Sequence, residues 1–375
     1  MAAVRVNVNP EVLMWAVDYS QRGMDAFEKK FKMFPRWLDK SEQPTVKQLE
    51  DMARFAYVPF GYLMLSEKPM IKIRAIKDFR TIQNHRLDTS GEYSAELRDT
   101  MIDIRRRQEW LHEYKEAQGY APIPFIGSIH TDMADEIIVE KICKELMLPA
   151  DWRDCIDSKD AAFRYFLDIV EAKGVMVFVN GIVGNNTHRR LRVEEFRGFA
   201  LSDHLAPVIF INGSDAPAAR LFTLLHELVH LFLGQDGLDD RTEPFCNRLS
   251  AKILVPPALF NEQWHKNPKD FDALERFFKV SPLVLYRMAL SLGKIDEKEY
   301  ARRIALYNKR HQGKNKSAGG DFYHVAPYRA GRSFCRYVRE ALREGNVSYS
   351  EAYQLLGVRG STFENVMKSI EEGRE

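Results

Sequence analysis

His226-Glu227-Leu228-Val229-His230 is the stretch of this 375-residue sequence whose residue types and spacing can do chemistry. On a helix, positions i and i+4 lie one above the other, so both imidazoles project from one face toward a common point. Two nitrogen donors on one rigid turn are half of a tetrahedral zinc site. Glu227 lies on the adjoining edge, where its carboxylate can take a proton from an attacking water. Leu224, Leu225, Leu228, Val229, Leu231, Phe232 and Leu233 make the helix apolar nearly all round, so it is expected to be buried. Two histidines and a glutamate in a buried helix are costly unless they are paired or hold a metal.

A hydrolytic zinc site needs a third protein ligand and an open position. Downstream, Asp236, Asp239, Asp240 and Glu243 are the candidates. The aspartates lie in a glycine-containing turn, where acidic residues are expected anyway. Glu243 falls in the first turn of the next helix, where a carboxylate gains from the helix N-terminus whatever else it does. It also sits on a rigid element that can fold back antiparallel to the histidine helix, which favours it as the ligand. A tetrahedral oxyanion needs a second electrophile beside the metal. His204, Tyr323 and His324 are candidates by residue type alone, and His204 falls in a loop, Ser202-Asp203-His204.

The elements that must position these groups follow from periodicity. Residues 161–172 read as an amphipathic helix stopped by Gly174. Val175-Met176-Val177-Phe178-Val179 and Val208-Ile209-Phe210-Ile211 read as buried strands, each closed by an Asn. Gly181, Gly184, Asn185 and Asn186 supply turn chemistry between them. Two helices are predicted after this small sheet, over about 218–233 and 242–254, the second stopped by Pro256-Pro257. Further helices are expected over 268–308. The fold class is therefore α+β and mostly helical: a small β-sheet packed on a zincin-like histidine helix, flanked by helical N- and C-terminal domains.

Before this core, residues 1–70 read as about five short helices. The clearest runs over 45–56, with Thr45 and Gln48 placed to form a capping box. Residues 71–160 read as a helical connector containing a charged helix over roughly 94–116, whose Arg105, Arg106 and Arg107 are expected to be a solvated face. The core domain is placed at 161–308, followed by a Gly- and Lys-bearing linker at 309–321 and a basic helical segment at 322–375. In residues 301–375, fourteen Lys and Arg stand against eight Asp and Glu. Arg329, Arg332, Arg336, Arg339 and Arg343 recur every three or four residues. That predicts one basic helix face, with Phe334, Cys335, Val338, Ala341 and Leu342 opposite, as a candidate contact for nucleic acid or an acidic partner. Residues 350–370 look like a second helix-turn-helix-like unit.

Around the histidines, Phe222-Thr223-Leu224-Leu225-His226-Glu227-Leu228-Val229-His230-Leu231 resembles the ImmA/IrrE family of metallopeptidases. So do Glu194-Glu195-Phe196-Arg197-Gly198-Phe199-Ala200 upstream and Glu243-x-x-Cys246-Asn247-x-x-x-Ala251-x-x-Leu254-Val255-Pro256 downstream. The resemblance covers roughly residues 165–260. It implies a gluzincin-like site with His226, His230 and Glu243 as ligands of one Zn2+ and Glu227 as general base. It also implies cleavage of a helix-turn-helix repressor or partner regulator, in a phage, mobile-element, toxin–antitoxin or stress context. Residues 10–65, with Gln43-Pro44-Thr45-x-x-Gln48-Leu49-x-x-Met52-Ala53, are similar to Xre-type helix-turn-helix domains. They depart from that pattern where DNA would be read: the turn is Lys32-Met33-Phe34-Pro35, and the third helix is very short. Residues 1–70 hold ten Lys and Arg against nine Asp and Glu, hardly the basic footprint a DNA reader needs. DNA therefore stands beside docking or dimerisation as the expected role of this segment.

The rival from another class is a DNA- or protein-binding regulator whose zinc fold is inactive or structural. A toxin or phage-defence protease shares the chemistry and differs in substrate. Manganese is the alternative metal. The four cysteines lie far apart, which excludes a cysteine zinc ribbon and predicts free thiols in a reducing cytosol. No secretory signal is visible and no apolar run is long enough to span a membrane, so a cytoplasmic location is expected.

Overall fold

The computed structural model describes residues 4–70, 93–235, 242–311 and 328–372. Asp236, Asp239, Asp240, Tyr323, His324 and most of the expected linker lie outside them. The described residues divide into two units, one of residues 4–70 with 93–99, the other of the remainder.

In the smaller unit, α1 (Pro10–Ser20), α2 (Met24–Lys30), α3 (Phe34–Leu38) and α4 (Val46–Ala56) precede a 3-10 turn at Phe60–Met64. Thr45 and Gln48 cap α4 reciprocally, as their spacing predicts. Val12, Leu13, Phe27, Phe34, Trp37, Leu49 and Met52 form the core. The third helix has five residues and spends Phe34 and Trp37 on that core. Residues 93–99 attach through Gln21, whose amide donates to Tyr93 O at 2.7 Å and accepts from Ala95 N at 2.9 Å. Burial and the neighbouring Asp99 push the Tyr19 phenol up to about 12.

In the larger unit, α5 (Ala95–Ala117) continues from residue 100 and is followed by α6 (Asp135–Glu145) and α7 (Lys159–Ala172). Ser158 caps α7, and Gly174, at φ +87°, turns the chain into the sheet. The strands are β1 (Met176–Asn180), β2 (Ile182–Val183), β3 (Asn186–Arg190), β4 (Gly198–Leu201) and β5 (Val208–Asn212). β1 pairs in parallel with β5, β4 lies antiparallel on the far side of β5, and β2 with β3 makes a separate hairpin. Asn180 and Asn212, the residues that close the two apolar runs, shape the turns with their side chains. Asn180 donates to Gly184 O, and Asn212 donates to Phe196 O and accepts from Ser214 N.

Both faces of this sheet are buried, which is why β1 and β5 read as continuous apolar runs rather than alternating ones. Val177, Val179, Ala200, Ile209 and Ile211 share a core with α7 and with α8 (Pro217–Leu233). After α8 come α9 (Glu243–Leu254), α10 (Pro257–Lys266), α11 (Phe271–Phe278), α12 (Pro282–Ser291) and α13 (Glu297–His311). On the other face, Phe178 meets Phe334 of α14 (Arg332–Arg343), with ring centres 5.6 Å apart. Then α15 (Tyr349–Leu356) and α16 (Gly360–Glu372) complete the chain, with Gly357 in the left-handed region closing α15. The fold is thus mostly helical with a small three-stranded sheet. Among the described residues no helix is long and apolar enough to cross a membrane.

The core extends upstream of residue 161. Phe125, Ile126, Ile129, Ile138, Ile142 and Trp152 belong to the same cluster as α7 and α8. Phe125 stacks on Phe232 at 4.6 Å between ring centres.

Candidate metal centre

Pro217 starts α8 where its missing N–H costs nothing, and Gly234, at φ +69°, ends it. The helix is held at its C-terminal end by a segment far away in sequence. Gly127 N donates to Leu231 O, which also accepts from Gly234 N, and Ile129 N donates to Phe232 O in the last turn. That segment comes so near that a Cβ on Gly234 would lie 2.8 Å from the Gly127 Cα. The end that carries His230 is therefore fixed by backbone packing as well as by its own hydrogen bonds.

The second helix of the site, α9, is tied from two sides. Arg248 makes a two-point bond to Asp135 of α6, at 2.6 and 3.0 Å, and Lys252 reaches the same carboxylate at 2.9 Å. Arg153, buried against Trp152, donates to Leu254 O at 2.6 Å and so caps the far end of α9. Burial draws that guanidinium down to about 10.

Held in this way, α8 and α9 bring three side chains together. His226 Nε2 lies 3.1 Å from His230 Nε2, and the Glu243 carboxylate lies 3.2 Å from the first and 3.1 Å from the second. Among the described residues these three form a group able to hold a metal ion, with one ligand atom from each within 4.8 Å of the others. Donors bonded 2.0–2.1 Å from a tetrahedral zinc stand roughly 3.3 Å apart, close to the separations seen here. Two imidazole nitrogens and one carboxylate oxygen are also the donor types such a cation takes. The residues fit a divalent metal.

Both histidines are buried, and the Glu243 side chain keeps 23 % exposure, so the site opens on the carboxylate side. Burial pushes the Glu243 carboxyl up, but hydrogen bonds and charges from His226 and His230 outweigh it and hold the group well below the ordinary value. Burial draws the His230 imidazole down, yet its bonds to Cys246 and Glu243 leave it well above the ordinary value. Cys246 Sγ lies 3.7 Å from His230 Nδ1, and burial pushes its thiol up against the opposing hydrogen bond from His230.

Glu227 is 3 % exposed and lies against the start of β4. A Cβ on Gly198 would stand 3.4 Å from Glu227 Cγ and 2.5 Å from Thr223 Cγ2. The bare glycine is what lets α8 approach the edge strand so closely.

The sequence-predicted residues divide clearly. His226, His230 and Glu243 come together, and Glu227 follows His226 on the same helix, packed toward Gly198. His204 does not join them: it is exposed in the loop after Leu201, at the end of β4 away from Gly198. That loop is braced by α5, with Gln108 donating to Leu201 O and Ala206 O, Lys115 to Leu205 O, and His112 paired with Asp203. The expected basic face of α14 is also not uniform. Phe334, Cys335, Val338 and Ala341 are buried as predicted, but Arg332 turns inward to ion pairs with Asp168 and Glu171. Glu171 is 8 % exposed, and a buried carboxylate needs a cation, so this arginine serves α7 rather than a ligand. Arg329 and Arg339 are half-buried, while Arg336 and Arg343 are exposed. Arg107, in the triplet expected to be solvated, is buried and bonded to Asp103. The sequence pattern around Cys246 does not reveal its contact to His230. Its position three residues after Glu243, on the same helix face, was the available signal.

Residues 170–290 match the family model Peptidase_M78, described as an IrrE N-terminal-like domain, and residues 330–369 match a domain of unknown function, DUF8813. No curated protein and no solved structure matches the chain. The match at 170–290, which contains His226, Glu227, His230 and Glu243, supports the ImmA/IrrE family and suggests a metallopeptidase-family protein.

Proposed function

We propose that the chain is a zinc-dependent endopeptidase in which His226, His230 and Glu243 hold the metal and Glu227 is the general base. The convergence of two buried imidazoles and one carboxylate, with Glu227 on the same helix, carries this reading. When bound, the cation would supply Lewis-acid polarisation of the scissile carbonyl and of the attacking water. Glu227, one residue along from His226, takes the water's proton and passes it to the leaving amine. Its burial, with Cγ packed toward Gly198, limits the motion of the side chain, so the proton is transferred at a fixed position. Glu243, held by its helix ties, and the two histidines keep that position in register with the cation.

The substrate in this reading is a helix-turn-helix repressor or partner regulator in the cytoplasm. The peptidase domain is centred on 161–308 and takes core side chains from residues 125–156 as well, with 322–375 as an accessory helical segment. The small N-terminal unit would act as a docking surface rather than a DNA reader, since its near-neutral charge and five-residue third helix suit protein contact better.

Replacing the base tests the proposal. Glu227→Gln keeps one zinc per chain and lowers the rate of repressor cleavage by about 10²-fold or more. A variant that still cleaves at the wild-type rate would overturn the assignment of Glu227. A wild-type chain that binds no zinc or manganese would favour the regulator with an inactive peptidase fold.

A further inference from the structure

We propose that Cys246 is a positioning residue for the metal centre, its sulfur accepting the Nδ1 proton of His230 so that Nε2 meets the cation with a free lone pair. This inference rests on the metal reading above. Cys246 Sγ stands 3.7 Å from His230 Nδ1, with the cysteine 0 % and the histidine 1 % exposed. No bulk water can take over the contact at that burial.

The arrangement follows from α9. Glu243 and Cys246 are three residues apart on one helix and so share a face. That face presents the carboxylate to one nitrogen of the His230 ring and the sulfur to the other. Glu243 Oε1 is 3.1 Å from Nε2, so in the neutral ring that cation binding requires the two side chains compete for the single proton. With the proton on Nε2, His230 would bond to Glu243 and could not bind a cation. With the proton on Nδ1, the ring bonds to Cys246 and Nε2 is left as a donor atom. Metal-binding histidines commonly donate their second N–H to a carboxylate or a carbonyl, and such partners set both tautomer and ring orientation. A thiol sulfur is a weaker acceptor. Once a cation takes Nε2 the ring proton stands on Nδ1, and in so dry a site the sulfur gives that N–H a partner.

The geometry therefore makes α9 responsible for two functions, one ligand and the orientation of another. It also makes the residue type at 246 a control on metal affinity rather than on the proton transfer at Glu227.

The test uses the full chain in three forms: wild type, Cys246→Ala and Cys246→Ser. Zinc affinity is measured by competition with a chromophoric chelator, with the thermal midpoint of each metal-free form recorded alongside. Cys246→Ala is expected to bind zinc about 10- to 100-fold more weakly. Cys246→Ser, whose hydroxyl can accept the same proton, is expected to recover most of that loss. Cobalt-loaded wild type is expected to lack a thiolate-to-metal charge-transfer band. Wild-type affinity in Cys246→Ala would overturn the inference and leave the metal centre standing. Equal weakening in Ala and Ser, tracking their thermal midpoints, would reduce Cys246 to packing and overturn it too. A thiolate band would make Cys246 a ligand and overturn the positioning role. A wild type that takes up neither zinc nor cobalt would sink the metal reading itself.

Discussion

Adding one carbon at Gly198 should separate the helix of the site from the sheet that backs it. A Cβ at this position would lie 2.5 Å from Thr223 Cγ2, 2.8 Å from Phe210 O and 3.4 Å from Glu227 Cγ. Unstrained contacts of these atom types begin at about 3.5 Å, so the first two must open by roughly 0.7 to 1 Å. Phe210 O belongs to β5, the hydrogen-bonded neighbour of β4, and cannot rotate aside. Either β4 leaves its ladder or α8 retreats with Glu227 on it. Overpacking of this kind costs about 1–3 kcal/mol. A misplacement of about 1 Å at a reacting group costs about 10²-fold in rate. Gly198→Ala should therefore lower the thermal midpoint by several degrees and cleavage by about two orders of magnitude, while the chain still binds zinc. Thr223→Ser, added to Gly198→Ala, removes the methyl that makes the closest contact and should restore part of both losses. Gly61→Ala, where no atom lies within 4 Å of the new carbon, is the control and should change neither. A Gly198→Ala protein with wild-type midpoint and wild-type rate would refute the claim that close approach of β4 and α8 positions Glu227.

Gly331→Ala should loosen the C-terminal helices from the sheet: the residue has φ +79°, and the new carbon would stand 2.7 Å from the Phe178 ring. Limited proteolysis should then release the segment beyond α13 faster than from wild type, and an unchanged digestion rate would contradict the packing. Asp135→Asn removes the anchor of Arg248 and Lys252 and should destabilise by about 0.5–1 kcal/mol, the range for partly exposed pairs. Its pH dependence has a definite sign. The Arg248 hydrogen bond, with Lys252, outweighs burial and holds the Asp135 carboxyl below its ordinary value. The contribution is therefore fully present above the unfolded pKa of about 3.9 and is lost as pH falls through the lower folded value. Denaturant midpoints of wild type and variant should differ by a constant amount from pH 5 to 8 and converge in acid; convergence at alkaline pH instead would refute the ion-pair account.

Much of the local structure was legible in the sequence because it depends on neighbours in the chain. The capping box at Thr45 and Gln48, the stop at Gly174, the apolar strands ending in Asn180 and Asn212, and the start of α9 at Glu243 are all short-range effects. The pairing of His226 with His230 belongs to the same class, since a single turn of helix sets it. The strand β4 is not legible in the sequence: Gly-Phe-Ala-Leu is four residues long and carries no period, and it becomes a strand only through its pairing with β5. The hairpin of β2 and β3 shows in the sequence only as turn residues for a similar reason.

The remaining difference lies in contacts between residues distant in sequence. Nothing local to Gly127 or Ile129 says that their amides close the end of α8, or that Arg153 and Asp135 anchor α9 from opposite ends. Arg332 carries the same spacing as its basic neighbours, yet its side chain goes to Glu171, because burying that carboxylate without a cation would cost more than losing one exposed charge. The sequence by itself determined which side chains share one turn of helix, since helix geometry places His226 and His230 on one face, with Glu227 beside them, wherever the helix goes. Only the tertiary structure decided that Glu243 closes the group and Cys246 stands behind His230. It also decided that His204 lies at the wrong end of β4, because each of these depends on how separate elements pack, and packing is set by the whole core.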